Sequence, residues 1–409
     1  MNDTSVEYTL DMRGKAMNTA GLRERKMVIA TFVVTFLVFA AVPFHSAHAD
    51  EPAGESLSRH DLVFLPAYRL AEMIRTGKVT SREAVEAYLE QIAKFNPGLN
   101  AIVTLDADGA RKRADEADKA LSRGENWGVL HGVPVTIKDN YATGGIKSTN
   151  GMTDLAGYVP KYDAALVKRV KNAGAVILGK TNLPPLGMDL QTRNKVFGVT
   201  NNPWDLKRTC GGSSGGEASA VASGMTALGF GNDIGGSIRI PSHFCGIYGI
   251  KPTENSTSTF GVSPGMRTQG VRAVRHLTCA GPLGRSIEDL KLGLSVIAGP
   301  DLKSPDIPWV DLRQPSPKNM NRLHITWTDN FDDVPVTTET KNALKAFTER
   351  LAAQGCTVER LSGPMFDPHL QSIKAEAEDF YNVKASDTPP VDFKAAWTTY
   401  GCLMDLELG

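Results

Sequence analysis

The sequence predicts an α/β protein: a mixed, largely parallel sheet covered by helices on both faces. Three observations carry this. From Val133 onward, short apolar runs of strand length alternate with capped, amphipathic runs of helix length, the pattern of strands joined by crossover helices. The 409-residue chain is 41% hydrophobic and 22% charged, the balance of a globular protein with a sizeable core. No break in composition divides the chain after His60, so residues 60–409 read as one domain.

The elements follow in order. In TSREAVEAYLEQIAKFNPG, Thr80 and Glu83 form a capping box and Asn96-Pro97-Gly98 is the expected stop. Ala84, Val85, Tyr88, Leu89 and Ile92 share one apolar face of that helix. A short strand is expected at Ala101–Leu105, then a charged helix from Asp106 to Leu121. VPVTIKDN is an apolar strand ending at Lys138. DAALVKRVKNAG is a helix with Asp163 as cap and Gly174 as stop, and AVILG is a buried strand. TCGGSSGGEASAVASG sets Ser213 and Ser214 among four glycines that open a helix of small residues. ALGFGNDIGGSIRIPS reads as a strand, a glycine turn carrying Ser237, and a helix begun by Pro241. SIEDLKLGLSVIAG is a helix capped by Ser286 and ended by Gly299. LHITWTD is a strand, Thr337–Gln354 a helix and CTVERL a strand.

Residues 1–49 read as an N-terminal extension with a secretory signal. Arg23, Arg25 and Lys26 precede the apolar run Val28–Val42, and Ala47-His48-Ala49 precedes Asp50. The run is short for a membrane span of about 20 residues. Export to the periplasm or outside the cell is therefore expected, with an uncleaved anchor as the one route to a membrane. Met17 and Met27 are alternative starts, and residues 50–59 read as a polar linker. The formal net charge of zero gives no reason to expect a nucleic-acid partner. The five cysteines are scattered and show no C-x-x-C, so neither a zinc site nor a disulfide framework is expected, and no metal or cofactor.

Two pattern matches fail on chemistry. GAVILGKT (Gly174–Thr181) has the letters of a phosphate-binding loop, but its four central residues are strand residues, and Pro184 and Pro185 block the helix that must follow. GVSPG (Gly261–Gly265) has the letters of a nucleophile elbow. That elbow needs the backbone N–H after the serine, and Pro264 has none. His243 could be imagined as a base for Ser237, but it lies in the apolar stretch IPSHFCGIYG, where a packed core histidine is the simpler reading. What remains is Lys138 at a strand end and two glycine–serine loops, carrying Ser213 and Ser237, separated by one helix–strand unit. Strand ends and helix starts are where α/β proteins carry chemistry.

On GVPVTIKDN, AGAVILGKTN, NNPWD, GGSSGGEA, DIGGSIRIPSHFCGIYGIKPT and GPLGRSIEDL the chain resembles the amidase signature family, over roughly His60 to Leu361. That family includes fatty acid amide hydrolases and the A-type component of the glutamyl-tRNA(Gln) amidotransferase. The resemblance implies hydrolysis of the C–N bond of a small-molecule carboxylic amide through an acyl-enzyme. It implies a triad of Lys138, Ser213 and Ser237, with Ser237 as nucleophile, Ser213 on a cis peptide after Gly212, and Lys138 as base. It implies an oxyanion hole from the N–H groups of Ile234, Gly235, Gly236 and Ser237, with Asp233 and Arg239 as scaffold. Gly187, in PPLGM, and Ser213 are the implied substrate contacts. A lysine base must be neutral, so its pKa must fall by about 2–3 units from its ordinary value near 10.4.

Family members normally continue with closing strands and a GLPVG-type segment, which nothing after Leu361 supplies. The expectation is thus an amidase domain incomplete at its C-terminus, with its last strands missing. Two alternatives follow: an amidotransferase A-type subunit that passes ammonia to a partner, and an inactive truncated homologue. The signal segment speaks against the first, because aminoacylated tRNA is cytoplasmic. Ile234, where that subunit commonly has threonine, points the same way. A homodimer is left open.

Overall fold

The computed structural model describes residues 58–264, 277–304, 306–312, 321, 323–329 and 336–361. The expected signal segment, most of the linker and the expected C-terminal deficit lie outside the described residues. Among the described residues, no helix is long and apolar enough to cross a membrane.

Two short helices that the sequence reading missed come first, α1 (Arg59–Phe64) and α2 (Ala67–Arg75). Then α3 (Ser81–Leu99) starts on the expected capping box: Thr80 Oγ1 accepts from the Glu83 amide, and the Glu83 carboxylate accepts from the Thr80 amide. Its predicted apolar face, from Ala84 to Ile92, is buried. The expected stop is corrected. The helix runs through Pro97 and ends on Asn100, which turns left-handed at φ 52°. A proline in the last turn removes only one hydrogen bond. Asn96 then closes the end, its side-chain oxygen accepting from the amides of Ala101 and Ile102, both at 2.9 Å.

The core sheet collects β1 (Ile102–Leu105), β2 (Pro134–Lys138), β3 (Val176–Thr181), β6 (Leu228–Asp233), β7 (Tyr248–Gly249) and β8 (Cys279–Gly284), in the order β1-β3-β2-β6-β8-β7. The small hairpin β4 (Arg193–Asn194) and β5 (Gly198–Val199) stands apart. The centre, β3-β2-β6, is parallel, while β1, β8 and β7 join through antiparallel pairings. The expected mixed sheet is thus present, with its parallel strands in the middle. GAVILGKT is strand from Val176 and buried throughout, which leaves no loop to hold a phosphate.

Helices α4 (Ala107–Ser122), α5 (Ala165–Asn172), α6 (Gly215–Ala222), α7 (Arg239–Cys245) and α8 (Ile287–Ile297) complete this body. One apolar cluster packs α3 and α4 against Val135, Ile137, Val176, Leu178, Leu228 and Phe230. A second, with Ala218 and Val221 of α6, Ile238, Cys245 and Leu283, covers the opposite face. A Cβ on Gly229 would sit 2.3 Å from Glu217 Oε2, so the bare position in β6 is what lets α6 lie close.

Two further expectations are corrected. Asp163 does not cap α5, whose N-cap is Ala164; its carboxylate instead accepts from the Gly144 amide at 2.8 Å and pairs with Lys171. Helix α7 begins at Arg239, ahead of Pro241, because Asp233 accepts from the Ile238 and Arg239 amides at 3.0 and 3.2 Å and starts the turn earlier. The strands His324–Trp327 and Thr357–Arg360 pair parallel in a two-stranded sheet of their own, linked by the expected helix, Thr338–Ala353. The strand β8 was missed because CAGPLG is rich in turn-forming residues; its burial between β6 and β7 makes it a strand.

Candidate active site

Lys138 is the last residue of β2, a strand buried along its whole length. The chain turns at once: the Tyr141 amide donates to the Lys138 carbonyl at 3.1 Å, and the Asp139 amide to the Thr181 carbonyl at 3.0 Å. Lys180 braces this turn from β3. Its ammonium donates to the Tyr141 carbonyl at 2.5 Å and to Ser148 Oγ at 2.9 Å, and lies 3.9 Å from Asp139. Lys180 is therefore structural, and Lys138 is the lysine left to face the loops.

Lys138 Nζ donates to Ser213 Oγ at 2.6 Å and to Asn232 Oδ1 at 2.8 Å. The Gly212–Ser213 peptide bond is cis. Burial pushes Lys138 from its ordinary 10.5 down to about 7, against the opposing pull of the Asp233 and Glu217 carboxylates. A free amine beside a serine hydroxyl is thus accessible near neutral pH.

The two serine loops are joined through their backbones. The Ser214 amide donates to the Ser237 carbonyl at 3.0 Å, and Ser214 Oγ to the Asn232 carbonyl at 3.3 Å. Asp233 fixes the turn between β6 and Ser237. It accepts from Gly236 N at 2.8 Å and from the Ile238 and Arg239 amides, and it forms a two-point ion pair with the Arg239 guanidinium at 3.0 and 2.8 Å. Burial alone would raise Asp233, but Arg239 and those amides outweigh it and hold the carboxyl below its usual range. Asp233 and Arg239 are scaffold in this geometry.

That scaffold alters the expected oxyanion hole. The Gly236 amide is already taken by Asp233, which leaves the amides of Ile234, Gly235 and Ser237 from the expected set of four. Gly236 itself is needed for its shape: φ is +117°, and a Cβ would meet Ile240 Cδ1 at 2.6 Å. Gly235 is exposed and Ile234 partly so, next to a buried Ser237, which opens the turn on one side only.

Gly187, expected as a substrate contact, lies beside Ser213. A Cβ there would sit 3.4 Å from Ser213 Oγ and 3.9 Å from Asn140 Nδ2, so the PPLGM segment walls the lysine–serine pair. His243 is half-buried on α7, its ring tilted against Phe244 at 5.5 Å between centroids, and burial lowers its pKa. Among the described residues no hydrogen bond joins it to Ser237. Ser263 spends its amide on the Asn140 carbonyl at 2.7 Å. Sequence reasoning missed two groups around Lys138, Asn232 and Glu217. The signal for Asn232 was a polar residue near the end of an otherwise apolar strand, just before Asp233 closes it. Among the described residues, no cluster of histidine, cysteine or carboxylate side chains could hold a metal ion. Cys210, Cys245, Cys279 and Cys356 are free and buried.

A lysine–serine site at the ends of parallel strands, on a mixed sheet covered on both faces, is the class that fold and geometry define. The chain belongs to the amidase family, whose family model matches residues 83–402. It is 38% identical over 307 residues to the A-type component of the glutamyl-tRNA(Gln) amidotransferase of Carboxydothermus hydrogenoformans, covering 74% of this chain and 62% of that one. It is 36% identical over 330 residues to the indoleacetamide hydrolase of Bradyrhizobium diazoefficiens, covering 76% of this chain and 62% of that one. Among solved structures it is similar to a fatty acid amide hydrolase, with a TM-score of 0.70 and 27% identity over 79% of this chain and 57% of the other. The chain thus spans 62% of the length of both curated relatives.

Proposed function

We propose that this chain hydrolyses the C–N bond of a small-molecule carboxylic amide, with Ser237 as nucleophile, Ser213 as proton relay and Lys138 as base. The observation that carries the reading is Lys138 Nζ at 2.6 Å from Ser213 Oγ, with burial holding the lysine near neutrality at about pH 7. Ser237 Oγ attacks the amide carbon, its proton passes to Ser213, and the Ser213 proton passes to Lys138. The N–H groups of Ile234, Gly235 and Ser237 hold the developing oxyanion. The proton then returns through Ser213 to the leaving nitrogen, the C–N bond breaks, and an acyl ester remains on Ser237. Water attacks that ester along the same proton path in reverse, releasing the acid and restoring the enzyme. No step calls on a metal or cofactor.

The relative that acts on indoleacetamide makes arylacetamides a sensible substrate class to include. The proposed setting is outside the cytoplasm, on the strength of the basic and apolar segments before Asp50. The test is release of amine or ammonia from a panel of aliphatic, arylacetic and fatty amides by the purified chain. Turnover that Ser237→Ala removes supports the reading, and a silent panel favours an inactive homologue. The similarity to amidotransferase components of the A type favours one second reading, a protein delivering ammonia to a partner. Glutamine-dependent ammonia release that appears only with partner subunits would select it.

A further inference from the structure

We infer that Glu217 is a positioning residue for the base: a buried acid on the same sheet face as Lys138, whose charge helps Lys138 keep its proton. Its catalytic meaning rests on the amidase reading, but the electrostatic coupling does not.

The placement is built into the sheet. Thr136 and Lys138 are alternate residues of β2, so they share a face about 7 Å apart. Thr136 Oγ1 donates to Glu217 Oε2 at 2.6 Å, which brings the carboxyl onto that face from α6. Gly229, paired with Thr136 across β2 and β6, clears the space it occupies. Thr181, paired with Lys138 across β2 and β3, lies on its other side. The carboxyl is wholly buried, and its second oxygen, Oε1, is left to Thr181, without a well-formed hydrogen bond. A buried, half-satisfied acid is costly. It also stands out in GGEASAVA, where every other side chain is small and uncharged.

Asp233 also favours the Lys138 ammonium, and more than Glu217 does, although its own position is fixed by other groups. Asp233, at the end of β6, is bound by Arg239 from α7. Lys180, from β3, is paired with Asp139 beyond the end of β2. Among the described residues Glu217 has no hydrogen-bonded cation of its own, and its charge acts through the buried sheet on both Lys180 and Lys138. Burial pushes Glu217 up to about 7, alongside Lys138 at about 7. Each is among the charges that favour the ionised form of the other. An ionised Glu217 favours the ammonium. A protonated Glu217 leaves Lys138 as the free amine that can accept a proton from Ser213.

The test measures Lys138 directly in the full chain, by NMR of lysine labelled at Nζ, with the signal identified by its loss in Lys138→Met. Glu217→Gln keeps the shape and removes the charge. The expected result is a Lys138 midpoint lowered by about one unit, the lower end of what a nearby opposite charge contributes. Thr136→Val, which weakens the ionised carboxylate only by removing one hydrogen bond, should shift the midpoint the same way and less. An unchanged or raised midpoint in folded Glu217→Gln overturns the inference. If that variant fails to fold, Thr136→Val decides on the same criterion. A lowered midpoint in a chain that hydrolyses no amide upholds the inference and overturns the amidase reading.

Discussion

Replacing Lys138 by methionine separates what this residue costs the fold from what it does in the site. In the unfolded chain its ammonium persists up to about 10.5, and in the folded chain only up to about 7. Between those values the unfolded chain binds more protons, so stability rises with pH across that window. The handicap is fully present below pH 7, amounts to about 4 kcal/mol at pH 7, falls to about 2 kcal/mol at pH 9 and fades near 10.5. Methionine has a similar length and no charge, but it forfeits the bonds to Ser213 and Asn232, each worth about 1 kcal/mol. Lys138→Met should therefore be more stable than the wild type by about 2 kcal/mol at pH 7 and nearly equal to it at pH 9. Urea unfolding of both proteins at several pH values measures this. A difference that stays constant within about 0.5 kcal/mol from pH 7 to 9 would show that Lys138 is not depressed by burial. The same variant should lose amide hydrolysis. In the wild type, kcat/KM should rise with pH through about 7, as the base loses its proton, and then level off.

Ser237→Ala should abolish turnover and labelling by a fluorophosphonate probe, while Ser263→Ala should retain both; full labelling of the Ser237 variant would refute the nucleophile assignment. Gly187→Val places carbon against Ser213 Oγ, where a Cβ already stands at 3.4 Å, and it forces valine to a φ of +73°. It should lower kcat/KM by about a hundredfold, with only about 1–2 kcal/mol of lost stability; unchanged kinetics would remove Gly187 from the site wall. Thr80→Ala breaks the capping box of α3 and should cost about 1 kcal/mol in denaturant unfolding with no change in kcat/KM.

Much of the frame was legible because its signals are local. A capping box acts within four residues, and Thr80 with Glu83 set the start of α3 as read. The serine at 286 caps α8 in the same way, with its side chain accepting from the Asp289 amide. Failures came where a distant partner outbid a local one. Asp163 is a good N-cap residue by type, but Gly144 and Lys171 claim its carboxylate. Pro97 is a stop by type, yet Asn96 satisfies the amides beyond it and the helix holds to Leu99. The short helices α1 and α2 carry too few periods to register as patterns.

The sequence by itself determined the alternation of strands and helices, the lysine closing an apolar strand, and two glycine–serine turns one helix–strand unit apart. These depend on side-chain period, strand ends and backbone freedom, all readable within a few residues. The resemblance had already pointed to Lys138 as the lysine of the site, and the tertiary structure supplies the physical reason, since Lys138 and Lys180 both lie near the ends of parallel strands. Lys180 is claimed by the Tyr141 carbonyl and Ser148, while Lys138 is left to Ser213, 75 positions away along the chain. Only the structure put antiparallel β8 beside β6, diverted the Gly236 amide to Asp233, and set Glu217 beneath Thr136. Each of these is a competition for hydrogen bonds and buried space among groups far apart in sequence, and its outcome exists only once the chain is packed.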